Sequence, residues 1–259
     1  MKVKKKFGQH FLKDTNLLKK IANLAEIKPG DKIWEIGPGR GSLTRELLKQ
    51  DCQLTIFEID QDLYPYLKQK FDDHARIIPK DILKCSWEDY LPKDKIKLVS
   101  NLPYQITSPL LFRLIDFRDR FTLIVLMLQK EVAQRLNAVA GSREYGFLSI
   151  RIQFYFRIKY EFTVKRHLFL PAPRVDSAVV TLKPEQKYKE PLNSVLFWKV
   201  VKSTFAKRRK TLRNNLKSIF SETILTEFTK KTSFDLSRRG ETFKIEEFIS
   251  LFNELSELI

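Results

Sequence analysis

Short apolar runs alternate with stretches of helical periodicity between residue 27 and about residue 182. The apolar runs predict strands over residues 32–36, 54–58, 76–78, 98–101 and 121–128. Helical spacing of apolar residues lies after each of four strands, over residues 42–50, 63–70, 108–115 and 130–137. Strands that alternate with helices in this way are typical of an α/β fold with a largely parallel sheet.

The pattern changes in the later part of the chain. Residues 147–162 are rich in Ile, Phe and Tyr, and residues 175–182 form a β-branched run, so the two segments predict an antiparallel pair at the sheet edge. Helical periodicity then covers residues 194–206, 207–220, 222–231 and 245–258. We therefore predict two domains, an α/β domain over residues 1–185 and a small helical domain over residues 186–259.

A glycine-rich turn follows the first predicted strand. Gly37, Gly39 and Gly41 allow a tight turn and a close approach of the backbone to a ligand. The fingerprint of dinucleotide-binding proteins requires a third glycine where this chain has Ser42. A nicotinamide-dependent dehydrogenase is therefore the weakest of the enzyme classes that fit this turn.

Acidic residues follow the next two strands in turn. Glu58 closes the second strand, where a carboxylate can accept hydrogen bonds from the two hydroxyls of a ribose. Asp81 follows the third strand, where it can accept a hydrogen bond from the amine of an adenine. Taken singly, Glu58 fits an exposed charge at a strand end, and Asp81 fits a helix N-cap. Their order along successive strands, after Gly37, favours one pocket for an adenosine group.

A turn of four residues, Asn101, Leu102, Pro103 and Tyr104, follows the fourth predicted strand. The Asn101 carboxamide is an acceptor, the fixed φ angle of Pro103 helps to hold the carbonyls of Leu102 and Pro103, and Tyr104 can stack on a base. A turn that merely ends a strand can have the same sequence. Together with the adenosine pocket, it predicts an enzyme that brings a nucleoside-containing cofactor to an amine on a nucleobase.

The chain is strongly basic. It has 48 Lys and Arg against 31 Asp and Glu, a formal net charge of +17, which favours a polyanionic partner such as RNA. No acidic residue interrupts the basic run of Lys199, Lys202, Lys207, Arg208, Arg209, Lys210, Arg213 and Lys217. Such a run is often a solvated helix face, but like charges repel without counter-charges. We interpret Lys207, Arg208, Arg209, Lys210 and Arg213 as contacts to phosphates of RNA.

Cysteine and hydropathy patterns indicate the compartment. Cys52 and Cys85 lack partners at metal-ligand spacing and read as reduced thiols, and the histidines are scattered, so no metal site is expected. The apolar run at residues 121–128 is too short to span a membrane, and the N-terminal lysines are not followed by the apolar core of a signal peptide. We expect a cytoplasmic protein with no membrane association.

Six strings together carry a family resemblance: GQHFL at 8–12, EIGPGRG at 35–41, NLPY at 101–104, LQKEV at 128–132, PRVDSAV at 173–179 and RRKTLRNN at 208–215. The chain resembles the small-subunit ribosomal RNA adenine dimethyltransferase family over nearly its whole length. The resemblance implies a Rossmann-like methyltransferase domain with S-adenosylmethionine as the methyl donor. It also implies two adjacent adenosines near the 3′ end of small-subunit rRNA as the acceptors, and thus the small ribosomal subunit as the partner of a monomeric enzyme.

The resemblance also implies roles for individual residues. It assigns cofactor contacts to His10, Leu12, Gly37, Glu58, Asp81 and Asn101. It adds Phe169 as a second aromatic face for the target base, beside the turn from Asn101 to Tyr104. The family commonly has Gly where this chain has Lys80.

Two further interpretations stay open. A large-subunit rRNA adenine methyltransferase of the antibiotic-resistance type would share the pocket, although the string at 208–215 is closer to the small-subunit family. A noncatalytic ribosome-assembly or transcription factor could use the same scaffold, although Glu58, Asp81 and Asn101 would then have no purpose.

Overall fold

The computed structural model describes residues 10–259. Their contacts divide them into two compact units. The first contains the residues up to 133 together with 156–185, and the second contains 134–155 together with 186–259. The predicted division near residue 186 agrees with one of these boundaries. It is wrong for residues 134–155, which pack with the second unit although they interrupt the first in sequence.

The first unit is built around a mixed sheet. The strands of the unit are β1 (Phe11–Leu12), β2 (Lys32–Ile36), β3 (Gln53–Phe57), β4 (Ala75–Ile78), β5 (Ile96–Asn101), β6 (Phe121–Gln129), β7 (Phe156–Val164), β8 (Phe169–Leu170) and β9 (Ser177–Pro184). The short strands β1 and β8 pair with each other in a separate two-stranded sheet. Its helices are α1 (Thr15–Asn23), α2 (Ser42–Leu48), α3 (Tyr64–Phe71) and α4 (Thr107–Asp116), and α5 (Lys130–Leu136) leads from β6 into the second unit.

Among the described residues the main sheet has seven strands in the order β4-β3-β2-β5-β6-β9-β7. The strands β4, β3, β2, β5 and β6 are parallel, and β9 and β7 are antiparallel to their neighbours. The five strands predicted from the apolar runs are confirmed, with ends that shift by two residues at most. The central strand β6 has no exposed side chain from Ile124 to Leu128, as expected for a strand covered on both faces.

The predicted antiparallel edge is confirmed for β7 and β9, but the first half of the segment 147–162 is not a strand. Residues Phe147–Gln153 form the helix α6. The ring centroids of Phe147 and Trp198 lie 6.3 Å apart, and Ile150 and Ile152 are fully buried. Burial of large apolar side chains within the second unit therefore overrides the β propensity of this sequence.

The second unit is helical, as predicted. Besides α6 it contains α7 (Ser194–Thr204), α8 (Leu212–Leu216), α9 (Glu222–Lys231) and α10 (Ile245–Ser256). Aromatic rings fill its core, with Phe197 5.9 Å from Phe154 and 5.4 Å from Phe252 between centroids.

The predicted helix over residues 207–220 is wrong at both ends, because only Leu212–Leu216 are helical and residues 217–220 form a turn. Residues 207–210 form an exposed turn, and the helix α8 begins only after Thr211, whose hydroxyl accepts the amide of Asn214 at 3.3 Å. The buried Asn215 side chain donates to the carbonyls of Thr204 at 2.9 Å and Lys207 at 3.3 Å. This side chain supplies hydrogen bonds that a continuous helix would have made with its backbone.

Across residues 10–259, no helix combines the length and the apolar character that crossing a bilayer requires.

Candidate active site

A cavity of about 300 Å³ opens in the first unit at the carboxyl ends of β2, β3 and β5. Parallel neighbouring strands end at the same edge of a sheet, which is the usual ligand position in such folds. The cavity is lined by all six residues that the sequence assigned to a cofactor: His10, Leu12, Gly37, Glu58, Asp81 and Asn101. Leu102, Pro103 and Tyr104 line the same cavity.

The glycine turn packs closely against two other residues that line the cavity. Gly37 has φ 65°, and a Cβ atom there would lie 3.2 Å from the ring of Pro103. Gly39 has φ 58°, and a Cβ atom there would lie 2.7 Å from the Phe11 ring. Both the left-handed backbone and the missing side chain are thus needed for this turn to pack against Pro103 and Phe11.

Glu58 lies at the end of β3 with its carboxylate held by backbone amides. One oxygen accepts from Gly39 at 3.3 Å and the other from Asp60 at 2.8 Å. Burial raises the pKa of Glu58 to about 7, against the lowering effect of these two hydrogen bonds. The carboxyl group therefore changes its charge near neutral pH.

Glu35 is a cavity residue to which the sequence analysis gave no role. It is 1% exposed and accepts a hydrogen bond from the Thr44 hydroxyl at 2.7 Å. Burial raises the pKa of Glu35 to about 8, and the nearby carboxylate of Glu58 adds to the rise. An acidic residue between the apolar residues Trp34 and Ile36 was the available signal, because an acidic side chain is rarely fully buried unless it has a partner.

Asp81 occupies the turn after β4. Its Oδ1 atom accepts the amide of Leu83 at 2.9 Å, and its backbone carbonyl accepts the amides of Lys84 at 3.0 Å and Cys85 at 3.1 Å. Lys80, which stands where the family commonly has Gly, is exposed and also lines the cavity.

The turn after β5 forms the opposite wall. The Asn101 amide nitrogen donates to the His10 carbonyl at 3.5 Å, which leaves the Oδ1 atom to accept from a ligand. The Leu102 amide donates to the carbonyl of Met127 at 3.0 Å, and the Pro103 carbonyl accepts the amide of Ile106 at 3.1 Å.

Tyr104 is fixed at both its ring and its hydroxyl. The ring stacks on His10 with centroids 5.7 Å apart and an interplanar angle of 29°, and the hydroxyl lies 2.6 Å from the Ser177 hydroxyl. Burial raises the pKa of Tyr104 above its ordinary value, so the phenol is neutral at physiological pH. The His10 ring is itself held by a contact of 2.8 Å between Nδ1 and the Pro171 carbonyl.

Phe169 is the predicted site residue that the structure does not bring to the cavity. It is 4% exposed, pairs with Leu12 in the β1–β8 ladder and belongs to the hydrophobic core of the first unit. Strand alternation explains this position, because Leu12 and Phe169 are neighbours across a short antiparallel ladder.

The predicted phosphate contacts divide into two groups within the second unit. Lys207, Arg208, Arg209 and Lys210 are exposed in the turn before α8, where Arg208 donates to the Arg143 carbonyl at 2.8 Å. Arg213 instead lies 2.5 Å from Glu222 and donates to the Thr226 hydroxyl at 2.8 Å. Lys217 also pairs with Glu222, at 3.0 Å. The acidic counter-charge missing from the basic run is thus supplied by α9.

Comparison with known proteins identifies the family. A family model described as ribosomal RNA adenine dimethylase matches residues 1–257. The chain belongs to the ribosomal RNA adenine dimethylase family. Curated relatives called ribosomal RNA small subunit methyltransferase A include one from Clostridioides difficile, 42% identical over 97% of this chain and 90% of the relative. Another, from Streptococcus thermophilus, is 42% identical over 98% of this chain and 92% of the relative.

Solved structures agree with this family. A dimethyladenosine transferase from Plasmodium falciparum is 27% identical, with a TM-score of 0.75 over 96% of this chain and 98% of that chain. The 23S rRNA methyltransferase ErmE shares the fold, with 24% identity and a TM-score of 0.72 over 95% of this chain and 99% of that chain. The predictions of the dimethyltransferase family and of a Rossmann-like methyltransferase fold with a helical C-terminal part are confirmed.

The raised pKa of Glu35 predicts how stability depends on pH. A carboxyl group whose folded pKa exceeds its unfolded value stabilises the fold fully below the unfolded pKa and loses that contribution as pH rises through the folded pKa. For Glu35 this window runs from 4.5 to about 8. The free energy of unfolding of the parent should therefore fall between pH 5 and pH 9. Glu35→Gln removes the titrating group and should make this fall smaller, by on the order of a few kcal/mol.

Denaturant unfolding at both pH values measures this difference. The exposed Glu185→Gln provides the control, which should keep the parent's dependence on pH. A Glu35→Gln variant with the parent's dependence would contradict the burial argument.

Proposed function

We propose that this protein transfers methyl groups from S-adenosylmethionine to the exocyclic amines of two adjacent adenosines near the 3′ end of small-subunit rRNA. A role in maturation of the small ribosomal subunit follows from that substrate. The single observation that carries the proposal is the cavity, because Glu58, Asp81 and the turn from Asn101 to Tyr104 all line it.

The residues present fit the methyl donor. The carboxylate of Glu58 suits the two hydroxyls of a ribose, Asp81 suits the amine of an adenine, and Gly37 and Gly39 line the same cavity without side chains. When bound, S-adenosylmethionine supplies an electrophilic methyl group on a sulfonium centre. A noncatalytic factor on this scaffold would not need these groups around one cavity.

The turn after β5 is suited to activate the acceptor. The lone pair of an adenine amine is conjugated into the ring, so the nitrogen attacks well only when it becomes pyramidal. Hydrogen bonds from the amine to Asn101 Oδ1 and to the Leu102 carbonyl favour that geometry and align the nitrogen with the methyl group. We assign the second bond to Leu102 because the Pro103 carbonyl already uses one of its two acceptor positions for the amide of Ile106.

No strong base is required in this mechanism. Once the methyl group has been transferred, the nitrogen is positively charged and its proton is acidic enough to pass to water. In this mechanism Tyr104 holds the flipped base in place while the methyl group is transferred. Since His10 covers one face of its ring, the adenine stacks on the opposite face.

RNA binding is assigned to the second unit. The exposed turn with Lys207, Arg208, Arg209 and Lys210 carries positive charges that suit phosphates, and these contacts position RNA without reading its sequence. Arg213 is paired with Glu222, so its side chain also contributes to the stability of the second unit. The substrate implies that the protein acts in the cytoplasm, and we propose that it acts as a monomer.

Methyl transfer to undermethylated small subunits tests the proposed function directly. The parent protein with labelled S-adenosylmethionine should produce dimethyladenosine, identified by mass spectrometry of the nucleosides. Asn101→Ala should lose most of this turnover while it keeps RNA affinity, because phosphate contacts dominate affinity. Tyr104→Ala should impair base capture and turnover, whereas Tyr104→Phe, which keeps the ring, should retain much of both.

Near-normal dimethyladenosine formation by Asn101→Ala or Tyr104→Ala would contradict the mechanism. Methylation of large subunits in place of small ones would favour the antibiotic-resistance type of enzyme.

Glu58 provides a test of the donor site. Glu58→Ala should weaken S-adenosylmethionine binding by roughly 1.5–3 kcal/mol, because charge-assisted hydrogen bonds to the ribose are lost. In the parent, whose Glu58 has a pKa of about 7, affinity should rise between pH 6 and pH 8 as the carboxyl group ionises. Calorimetry at both pH values measures these effects, with the exposed Asp73→Ala as the control. Unchanged affinity in a folded Glu58→Ala variant would remove Glu58 from the donor site.

The exposed turn before α8 provides a test of RNA binding. Replacing Arg208 and Arg209 by Ala should weaken binding to the small subunit and flatten its salt dependence, by roughly 0.7–0.9 in the logarithmic slope per lost phosphate contact. Replacing Lys230 and Lys231 on α9 removes the same charge from the same unit and should leave the slope nearly unchanged. A double arginine variant with the parent's slope but a lower melting temperature would show that the turn serves the fold instead.

A further inference from the structure

A long irregular connection joins β4 to β5. Residues 79–95 contain neither a helix nor a strand. Asp81 lies near the start of this connection, so the wall of the cavity that faces the adenine depends on a segment without regular backbone hydrogen bonds. The carbonyl groups of such a segment must find donors elsewhere.

Arg113 of α4 supplies several of these donors. Its Nη1 atom donates to the carbonyls of Ile82 at 2.9 Å and Leu83 at 2.6 Å, and its Nη2 atom donates to the carbonyl of Cys85. The planar guanidinium therefore bonds three carbonyls within four residues of one turn. A lysine has a single nitrogen and cannot reproduce this fork.

Trp87 holds the guanidinium in place. Its fully buried ring lies 4.9 Å from the guanidinium carbon of Arg113, and its Nε1 atom donates to the Ile82 carbonyl at 2.9 Å. The Ile82 carbonyl thus accepts hydrogen bonds from both Arg113 and Trp87, and the Cys85 thiol also donates to it at 3.7 Å.

The same turn is closed from the Asp81 side. The Asp81 carboxylate and carbonyl accept the amides of residues 83, 84 and 85, while Arg113 binds carbonyls of residues 82, 83 and 85. The orientation of the Asp81 carboxylate is therefore coupled to Arg113, although Arg113 itself does not line the cavity among the described residues.

We propose that Arg113 is a positioning residue that determines selectivity for adenine in the methyl donor, because it fixes the turn that aims Asp81 at the adenine amine. This inference rests on the proposed function. It adds a residue on α4 to the recognition of the donor, outside the motifs that carry the family resemblance.

Arg120 offers a matched control on the same connection. Its Nη2 atom donates to the carbonyls of Pro92 and Lys93, at the end of the connection away from Asp81. Neither of these residues lines the cavity. Arg120→Lys and Arg113→Lys therefore remove the same kind of contact from the same connection, and they differ in whether the contact supports Asp81.

The experiment compares two ligands by calorimetry. S-adenosylhomocysteine carries the adenine amine, and S-inosylhomocysteine carries a carbonyl oxygen in its place. The parent should prefer the adenosyl compound. Arg113→Lys should reduce the ratio of the two affinities about tenfold or more. The reason is that the misplaced Asp81 carboxylate would lose its hydrogen bond from the adenine amine, and that bond is charge-assisted. Arg120→Lys should keep the parent's ratio, even where its melting temperature falls.

A second variant covers the case in which Arg113→Lys does not fold. Trp87→Phe keeps an aromatic ring in the core and removes the indole hydrogen bond to the Ile82 carbonyl, so it should lower the ratio in the same direction by a smaller factor. Ratios equal to the parent's in the folded variants, or an equal fall in Arg120→Lys, would overturn the assignment of Arg113.

The parent protein separates this inference from the function on which it rests. If the parent binds neither compound, the proposed function fails. If the parent binds both equally, the role of Asp81 fails and the inference about Arg113 fails with it, while methyl transfer remains testable on ribosomal subunits.

Discussion

The parallel alignment of β2, β3 and β5 is the constraint on which the site depends. Because these strands are neighbours that run in one direction, their carboxyl ends bring Gly37, Glu58 and Asn101 to one edge of the sheet. These residues are far apart in sequence and reach one cavity only through this register. The ligand space is therefore a consequence of strand order.

Burial within this edge sets the chemistry of its acidic groups. Glu35 and Glu58 are both nearly inaccessible, and burial raises the pKa values of both. At neutral pH the pair can carry less than its full negative charge, which limits the repulsion between two neighbouring carboxyl groups.

The residues that we propose for the methyl acceptor and those that we propose for the donor adenine are supported by different kinds of structure. The acceptor turn directly follows β5, where Leu102 is bonded to β6 and Tyr104 is held by Ser177 of β9. Asp81, in contrast, lies on an irregular connection that side chains hold in place, Arg113 and Trp87 among them. Geometry at the methyl acceptor therefore follows from the sheet. Geometry at the adenine of the donor depends on a few long side chains.

The sequence by itself determined the parallel sheet, the family and the set of six residues, proposed for the cofactor, that line one cavity. Apolar runs, glycine spacing and acidic residues at strand ends can be read from the sequence, because they reflect the local requirements of strands and turns. Tertiary structure decided the helix α6 and the assignment of residues 134–155 to the second unit, because burial among aromatic rings outweighs the β propensity of the segment around Ile150. It also placed Phe169 in the core and paired Arg213 with Glu222. Phe169 pairs with Leu12 from the far end of the first unit's sequence, and Arg213 pairs with a residue of the next helix, so the pattern within one element carries no signal for these contacts.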